Sequence, residues 1–170
     1  MKDIEFIWAG GYTERYHTTH TILRDTVGHH SFNVAAIIMT VWPDASAKLL
    51  RAALLHDVAE HKTGDMPAPA KRAMGIREVF SDYEQEAMAY AGVSYPELTP
   101  EEEWALKYAD ALDGMRFCVQ ERAMGNRLID PVYYNFRDYV EELLLKQPHP
   151  PVRAVQLFNH MKGGWNDAVR

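Results

Sequence analysis

At 170 residues the chain has the length of one ordinary domain, and with 47% hydrophobic and 25% charged residues its composition is globular, which excludes extended disorder. Eighteen Lys and Arg against 24 Asp and Glu leave a net charge of −6, which argues against a broad surface for nucleic acid and leaves room only for a local basic pocket. Cys118 is the sole cysteine, so an intramolecular disulfide and a cysteine-based zinc cluster are excluded, and the eight histidines become the count that needs explaining.

The start, MKDIEFIWAGGYTERYH, carries acids early and only a short apolar run, so no signal core is expected and the chain reads as cytoplasmic. The longest apolar stretch, Val34 to Trp42, is interrupted by Thr40 and is too short to span a bilayer, so no membrane contact is expected. Asp3 to Ala9 predicts one or two helical turns stopped by Gly10 and Gly11. Residues 10–27 are polar, rich in Thr and His, and read as an ordered loop. From Thr26, the run TVGHHSFNVAAIIMTVW carries a helical stripe at Val34, Ile37, Ile38 and Val41 that Pro43 ends. Asp44 is then the expected cap of ASAKLLRAALLHDVAEH, with Leu50, Ala53 and Leu54 on one face and Gly64 beyond the end.

Residues 62–69, KTGDMPAP, form a turn-rich connection before a short helix around Ala70 to Met74. Arg77 to Ala91 predicts an amphipathic helix closed by Gly92. Thr99, Pro100 and Glu102 make a helix start with an N-cap, a Pro at the first position and a capping-box acid, and that helix runs to about Met124 with Gly125 as its stop. Asp130 and Pro131 start another helix to about Lys146, and Pro148, Pro150 and Pro151 break the chain before a last one. No alternating strands appear, so the expected fold class is all-α. One domain over 1–170 is expected, with the chemistry in about 12–120 and C-terminal helices over 125–170 packed on it.

Some polar residues sit where this pattern puts apolar ones. His30 precedes Val34 by four positions and shares its stripe, and Asp57 follows Ala53 and Leu54 on theirs. Asp110 lies between Ala109 and Ala111 on a stripe with Leu106 and Phe117. A carboxylate buried without a partner is very costly, so something cationic should meet these acids. His56 precedes Asp57 directly, and near a helix end both could converge on one point. Two His and two Asp from three helices would suit a divalent ion such as zinc, manganese, cobalt or iron. The other reading pairs Asp57 with Arg51 or another base and leaves Asp110 partly exposed. Glu60, one turn beyond Asp57, is either a surface acid or, beside a metal, a group that orients a water.

The segments GHHS around His30, LLHDVAEHKTGDMPAPAK from Leu54 to Lys71 and KYADALD around Asp110 carry a resemblance. Together they resemble the HD-domain phosphohydrolases, and within them the bacterial 5′-deoxynucleotidases and the small phage deoxynucleoside triphosphohydrolases, which also have an Arg fifteen residues before the first metal His, here Arg15. The resemblance implies a single HD-domain helical bundle in which His30, His56, Asp57 and Asp110 hold one divalent metal, Co, Mn, Zn or Mg. It implies further that Glu60 stands beside the catalytic water and Asp65 near the sugar and leaving oxygen, with Arg15 and Lys71 gripping phosphate. Tyr16 replaces a Trp that crowds the ribose 2′-hydroxyl, His29 replaces a Glu before the first metal His, and Thr18 to His20 fall where a substrate loop should be. Only His61 lies between the HD pair and Asp110, which favours one metal over a dinuclear centre.

The activity this implies is hydrolysis of 5′-(deoxy)nucleoside monophosphates to nucleoside and phosphate. The alternative is a dATPase-like triphosphohydrolase releasing tripolyphosphate, which needs more positive charge and has Lys62, Arg72 and Arg24 as candidates. An alternative of another class is a non-catalytic HD nucleotide or metal sensor, and retention of Glu60 and Asp65 tells against it. Trp42, Tyr108, Met115, Phe117, Tyr133, Tyr134 and Phe136 read as core or subunit interface, and the relatives' assembly implies a homo-oligomer.

Overall fold

Local signals set most of the helix boundaries. The computed structural model describes residues 1–169, so Arg170, the end of the expected domain, lies outside the described residues. Among the described residues there are eight α-helices, one 3-10 turn and no strand. They are α1 (Lys2–Gly11), α2 (Val27–Val41), α3 (Ala47–Leu55), the 3-10 turn (Val58–His61), α4 (Ala68–Ala73), α5 (Arg77–Ala91), α6 (Pro100–Ala123), α7 (Asp130–Lys146) and α8 (Val152–Val169). Thr26 caps α2, and at α6 the full capping box forms between Thr99 and Glu102. No helix is long and apolar enough to cross a membrane among the described residues.

Two expectations are corrected. Helix α1 does not stop at Ala9 but continues through both glycines, and Gly10 lies directly against the Val58 backbone, where a side chain would not fit. The run from Ala45 to His61 is not one helix capped by Asp44. Ser46 is the cap, its Oγ accepting the Leu49 N–H at 3.0 Å, and α3 ends at Leu55. Asp57 leaves helical geometry at φ −112 and ψ 2 and the chain tightens into the 3-10 turn. The buried face of α3 is accordingly Leu49, Ala52, Ala53 and Leu55, while Leu54 is 50% exposed.

Helix α6 is the axis of the bundle, packed by α2, α7 and α8. Tyr108, Leu112, Met115, Phe117 and Cys118 of α6 form one apolar cluster with Ile129, Tyr133 and Val140 of the α7 region and Ala154, Phe158 and Trp165 of α8. Each such side chain contributes about 1.5–3 kcal/mol by leaving water. Tyr133 stacks on Trp165 at 3.7 Å, whereas Tyr134 stays 43% exposed. Val34, Ile38, Leu49, Ala52, Ala53, Ala105 and Ala109 join α2, α3 and α6 in a second cluster. A third, Phe6, Leu55, Val58, Met88 and Val93, seats the 3-10 turn between α1 and α5.

Candidate active site

The end of α3 aims two consecutive side chains at α2 and α6. His56 follows the last residue of α3, and Asp57 lies one residue further on, so the pair faces His30 of α2 and Asp110 of α6. His30 Nε2 lies 3.2 Å from His56 Nε2, 3.1 Å from Asp110 Oδ1 and 3.5 Å from Asp57 Oδ2, and His56 Nε2 lies 3.3 Å from Asp57 Oδ2. Asp57 is Arg15's neighbour at 3.9 Å, and Arg51 instead donates to Ser94 O.

Hydrogen bonding fixes what these atoms present. His56 Nδ1 faces the Ala53 carbonyl at 2.9 Å and must donate to it, and His30 Nδ1 faces Asp113 Oδ2 at 2.8 Å and donates likewise. In neutral imidazoles both Nε2 atoms would then carry lone pairs, turned toward each other and toward carboxylate oxygens. Four electron-rich atoms at such separations repel unless a cation lies among them. Ligands about 2.0–2.2 Å from a zinc-sized ion stand about 3.0–3.5 Å apart, which matches the separations of His30 Nε2 from His56, Asp110 and Asp57. His30, His56 and Asp110 offer ligand atoms all within 4.8 Å of one another and so form a possible metal site, whereas Asp57, expected as the fourth ligand, stands outside that group, its Oδ2 3.5 Å from His30 Nε2 and 3.3 Å from His56 Nε2.

The burial expected of the two aspartates is corrected. Asp110 is 42% exposed and Asp57 23%, so neither is an acid of the core. The core acid is Asp113, one turn after Asp110, at 1%. It receives His30 Nδ1 on one oxygen and Arg116 Nε on the other at 2.6 Å. Burial raises its pKa and Arg116 opposes the rise.

Around this cluster lie polar atoms with nothing to bond. Glu60 is buried on the 3-10 turn; Oε1 lies 3.7 Å from Lys71 Nζ, and Oε2 has no partner. Burial, helped by Asp57 and Asp65, pushes the Glu60 carboxyl up to about 10 against the pull of Lys71 and Arg15. Lys71 is shared with Glu84 of α5 at 3.6 Å. Arg15 is held between Asp25 at 3.8 Å and Asp57 at 3.9 Å, both beyond hydrogen-bond reach, and its Nε and Nη1 are buried without partners.

Asp65 accepts the Tyr16 N–H at 3.1 Å, and burial raises its pKa despite Arg15. Tyr16 adopts the left-handed conformation at φ 58, which is strained for a bulky residue. Its ring stacks on Phe117 at 4.4 Å and its hydroxyl is buried without a partner.

Asp113, Glu84 and Asp25 are the residues that sequence reasoning passed over. Asp113 had a signal, since it stands three positions after Asp110 inside the quoted KYADALD segment. Glu84 had none, being one acid among several on an amphipathic helix. His61 donates to Val58 O and lies edge-on to Phe6, and His29 is exposed. Among the candidate extra cations, Arg24 pairs with Glu14 at the exposed surface and Lys62 stands over Phe6.

Comparison with known proteins agrees with this architecture. The structure resembles the cyanophage S-2L HD phosphohydrolase DatZ bound to dA and one catalytic Zn2+ ion, with a TM-score of 0.70 and 16% identity over 97% of this chain and 95% of that one. It also resembles an HD-domain phosphohydrolase, lin2634, from Listeria innocua (TM-score 0.62, 17% identity, 94% and 96% covered). The PH0347 protein from Pyrococcus horikoshii OT3 is similar as well (TM-score 0.61, 18% identity, 97% and 98% covered). No curated protein matches the chain. A family model described as 5′-deoxynucleotidase YfbR-like matches residues 11–159, a span holding the whole histidine and aspartate cluster together with Arg15, Glu60, Asp65 and Lys71, and the chain belongs to that family.

Proposed function

We propose that the protein hydrolyses 5′-(deoxy)nucleoside monophosphates to nucleoside and phosphate, with one divalent ion held by His30, His56, Asp57 and Asp110. The observation that carries this reading is the grouping of unpartnered buried atoms beside two imidazole lone pairs: an acceptor, Glu60 Oε2, and two donors, Arg15 Nε and Nη1. A water and a phosphate oxygen together would satisfy them. An ion of the Zn, Mn, Co or Mg class at that cluster would polarise the phosphate and acidify the attacking water.

Arg15 and Lys71 bind the phosphate oxygens, and the guanidinium fork suits a tetrahedral anion. Beside a divalent cation the raised Glu60 carboxyl would be drawn back toward its ionised form, and Glu60 would then take the proton of the attacking water as its oxygen bonds to phosphorus in line. The bond from phosphorus to O5′ breaks, and Asp65, whose pKa burial raises, is disposed to supply the proton that O5′ takes up. The cations Arg15 and Lys71 hold the charge that develops on the phosphoryl oxygens. Tyr16, fixed against Phe117, walls the sugar side.

Of the three candidate extra cations, Arg24 pairs with Glu14 and Lys62 stands over Phe6, which leaves Arg72 alone for further phosphates and favours the monophosphate over a triphosphate. The same reading takes residues 1–170 as one catalytic domain. A cytoplasmic location accords with the free, buried Cys118, and a homo-oligomer with the exposed Leu145 and Val152.

A panel of ribo- and deoxynucleoside mono- and triphosphates with Mn2+, Co2+ or Zn2+, resolved by chromatography, tests this. Phosphate released from monophosphates alone is the expected result. Release of tripolyphosphate would select the triphosphohydrolase, and release of neither would leave a sensor.

A further inference from the structure

The loop between α1 and α2 carries Arg15 and Tyr16, and it is held at three places. At its base the strand-like ends pair, Arg15 N–H to Asp25 O at 3.1 Å and Val27 N–H to Thr13 O at 2.9 Å. On one side Tyr16 N–H reaches Asp65. The third hold lies at the far side and comes from the other end of the chain.

Glu121, near the end of α6, is completely buried. Its carboxylate accepts the Leu23 N–H at 2.6 Å and the Ile22 N–H at 2.9 and 3.1 Å, across nearly a hundred residues of sequence. Asn126 Nδ2 donates to Glu121 Oε2 at 2.6 Å and to His20 O at 2.9 Å. The orientation of that amide is fixed, because its Oδ1 accepts the Leu128 N–H at 3.0 Å. Gly125, at φ 94, closes α6, with Gly125 N–H bonding Arg122 O and Asn126 N–H bonding Glu121 O. That left-handed turn is what brings the Asn126 side chain back over Glu121. A buried carboxylate that contacts only loop backbone and one amide does little for the apolar core, and a leucine there would pack at lower cost.

We infer that Glu121 and Asn126 are positioning residues, a clasp that holds residues 20–23 and thereby sets Arg15 and Tyr16 for the phosphate. The inference rests on the proposed reaction at the Arg15 site. The loop lines an open concavity of about 390 Å3 with Arg15, Tyr16, Thr19, Ile22, Leu23 and Asp25 among others, and releasing its far side would let that concavity and the Arg15 guanidinium shift together. Neither residue touches the metal cluster, so the clasp acts on phosphate affinity and leaves metal affinity alone.

The test compares wild type with Glu121→Gln and Asn126→Ala. Glu121→Gln keeps the shape of the side chain but turns an NH2 toward the Ile22 N–H or the Asn126 amide, setting donor against donor. Asn126→Ala removes the His20 and Glu121 contacts and leaves the carboxylate in place, so it serves if the first variant fails to fold. Four quantities are read: hydrogen exchange at the Ile22 and Leu23 amides, affinity for inorganic phosphate by calorimetry, Zn2+ affinity, and KM against kcat for the best monophosphate. The expected result is faster exchange, phosphate affinity lower and KM higher by about tenfold in Asn126→Ala, kcat within threefold, and Zn2+ affinity unchanged. Unchanged exchange, or faster exchange with phosphate affinity intact, overturns the clasp. Wild type that binds phosphate but hydrolyses no nucleotide overturns the proposed reaction instead, and the phosphate affinities still decide the clasp.

Discussion

Asp113 Oδ2 accepts a hydrogen bond from His30 Nδ1 at 2.8 Å, and this single contact determines which face of the imidazole is turned to the cleft. With Nδ1 protonated, Nε2 is the lone pair that meets His56, Asp57 and Asp110. Carboxylate partners of metal-binding histidines contribute roughly 10–100-fold in metal affinity. Asp113→Asn offers an NH2 as readily as an oxygen and no longer fixes the tautomer. Its Zn2+ affinity, measured by calorimetry against a competing chelator, should fall about 10–100-fold with the helical circular dichroism unchanged.

The reach of sequence reasoning follows the range of the interactions. The Thr99 and Glu102 box and the Gly92 stop are set within a few residues, and α6 begins and α5 ends as expected. Just past the end of α3, Val58 packs against Gly10, a contact between segments far apart that the Ala45 to His61 pattern, which alone reads as one helix, does not carry. Of the four residues around the candidate metal position, His30, Asp57 and Asp110 were legible as polar groups on apolar stripes, and His56 by its place beside Asp57. The burial of these acids was not, since Asp110 and Asp113 stand one turn apart on α6 and reach the same residue, His30, at its two ring nitrogens.

Glu60 and Asp57 are separated by one turn and by role. Glu60→Gln keeps the volume and removes the acceptor with no partner in the protein, so turnover should fall about 10²–10⁴-fold while bound metal, measured by elemental analysis, stays at the wild-type level. Asp57→Ala should lose the metal as well as the activity. Equal metal loss in both variants would mean that Glu60 is a ligand and not the base.

Arg15 offers a planar fork that a lysine cannot reproduce. Arg15→Lys keeps the charge but not the paired donors, and hydrogen bonds to charged groups contribute about 1.5–3 kcal/mol. A rise in KM for monophosphates of roughly 10- to 100-fold is expected from steady-state kinetics, with no change in metal content.

Glu102 ties two helix starts together, accepting from Ser46 Oγ at 2.6 Å and from Thr99 N–H at 2.9 Å, with Lys48 Nζ 2.9 Å away. The Ser46 bond first, then those to Thr99 and Lys48, pull its pKa from 4.5 down to about 2. A carboxyl lowered on folding adds stability above its ordinary pKa, and that stability is lost as pH falls toward the folded value. In urea titrations Glu102→Gln should therefore be less stable than wild type at pH 6. The difference should close between pH 4.5 and 2.

Gly10 and Gly114 are both close-packed, yet they sit in different relations to the site. A Cβ at Gly10 would overlap the Val58 carbonyl oxygen and stand 2.7 Å from Val58 Cα, and backbone atoms cannot rotate away. At Gly114 the obstacle is the Phe136 ring, at 2.5 and 2.6 Å, a side chain that can turn. Overpacking of this kind costs about 1–3 kcal/mol, so both alanine variants should lower the thermal midpoint. Val58 opens the turn that carries Glu60, whereas Phe136 lies on α7, away from it. Gly10→Ala should thus lose kcat by tenfold or more in the fraction that remains folded, and Gly114→Ala should keep it. Equal kcat in the two folded variants would show that the turn holds Glu60 without help from the α1 contact.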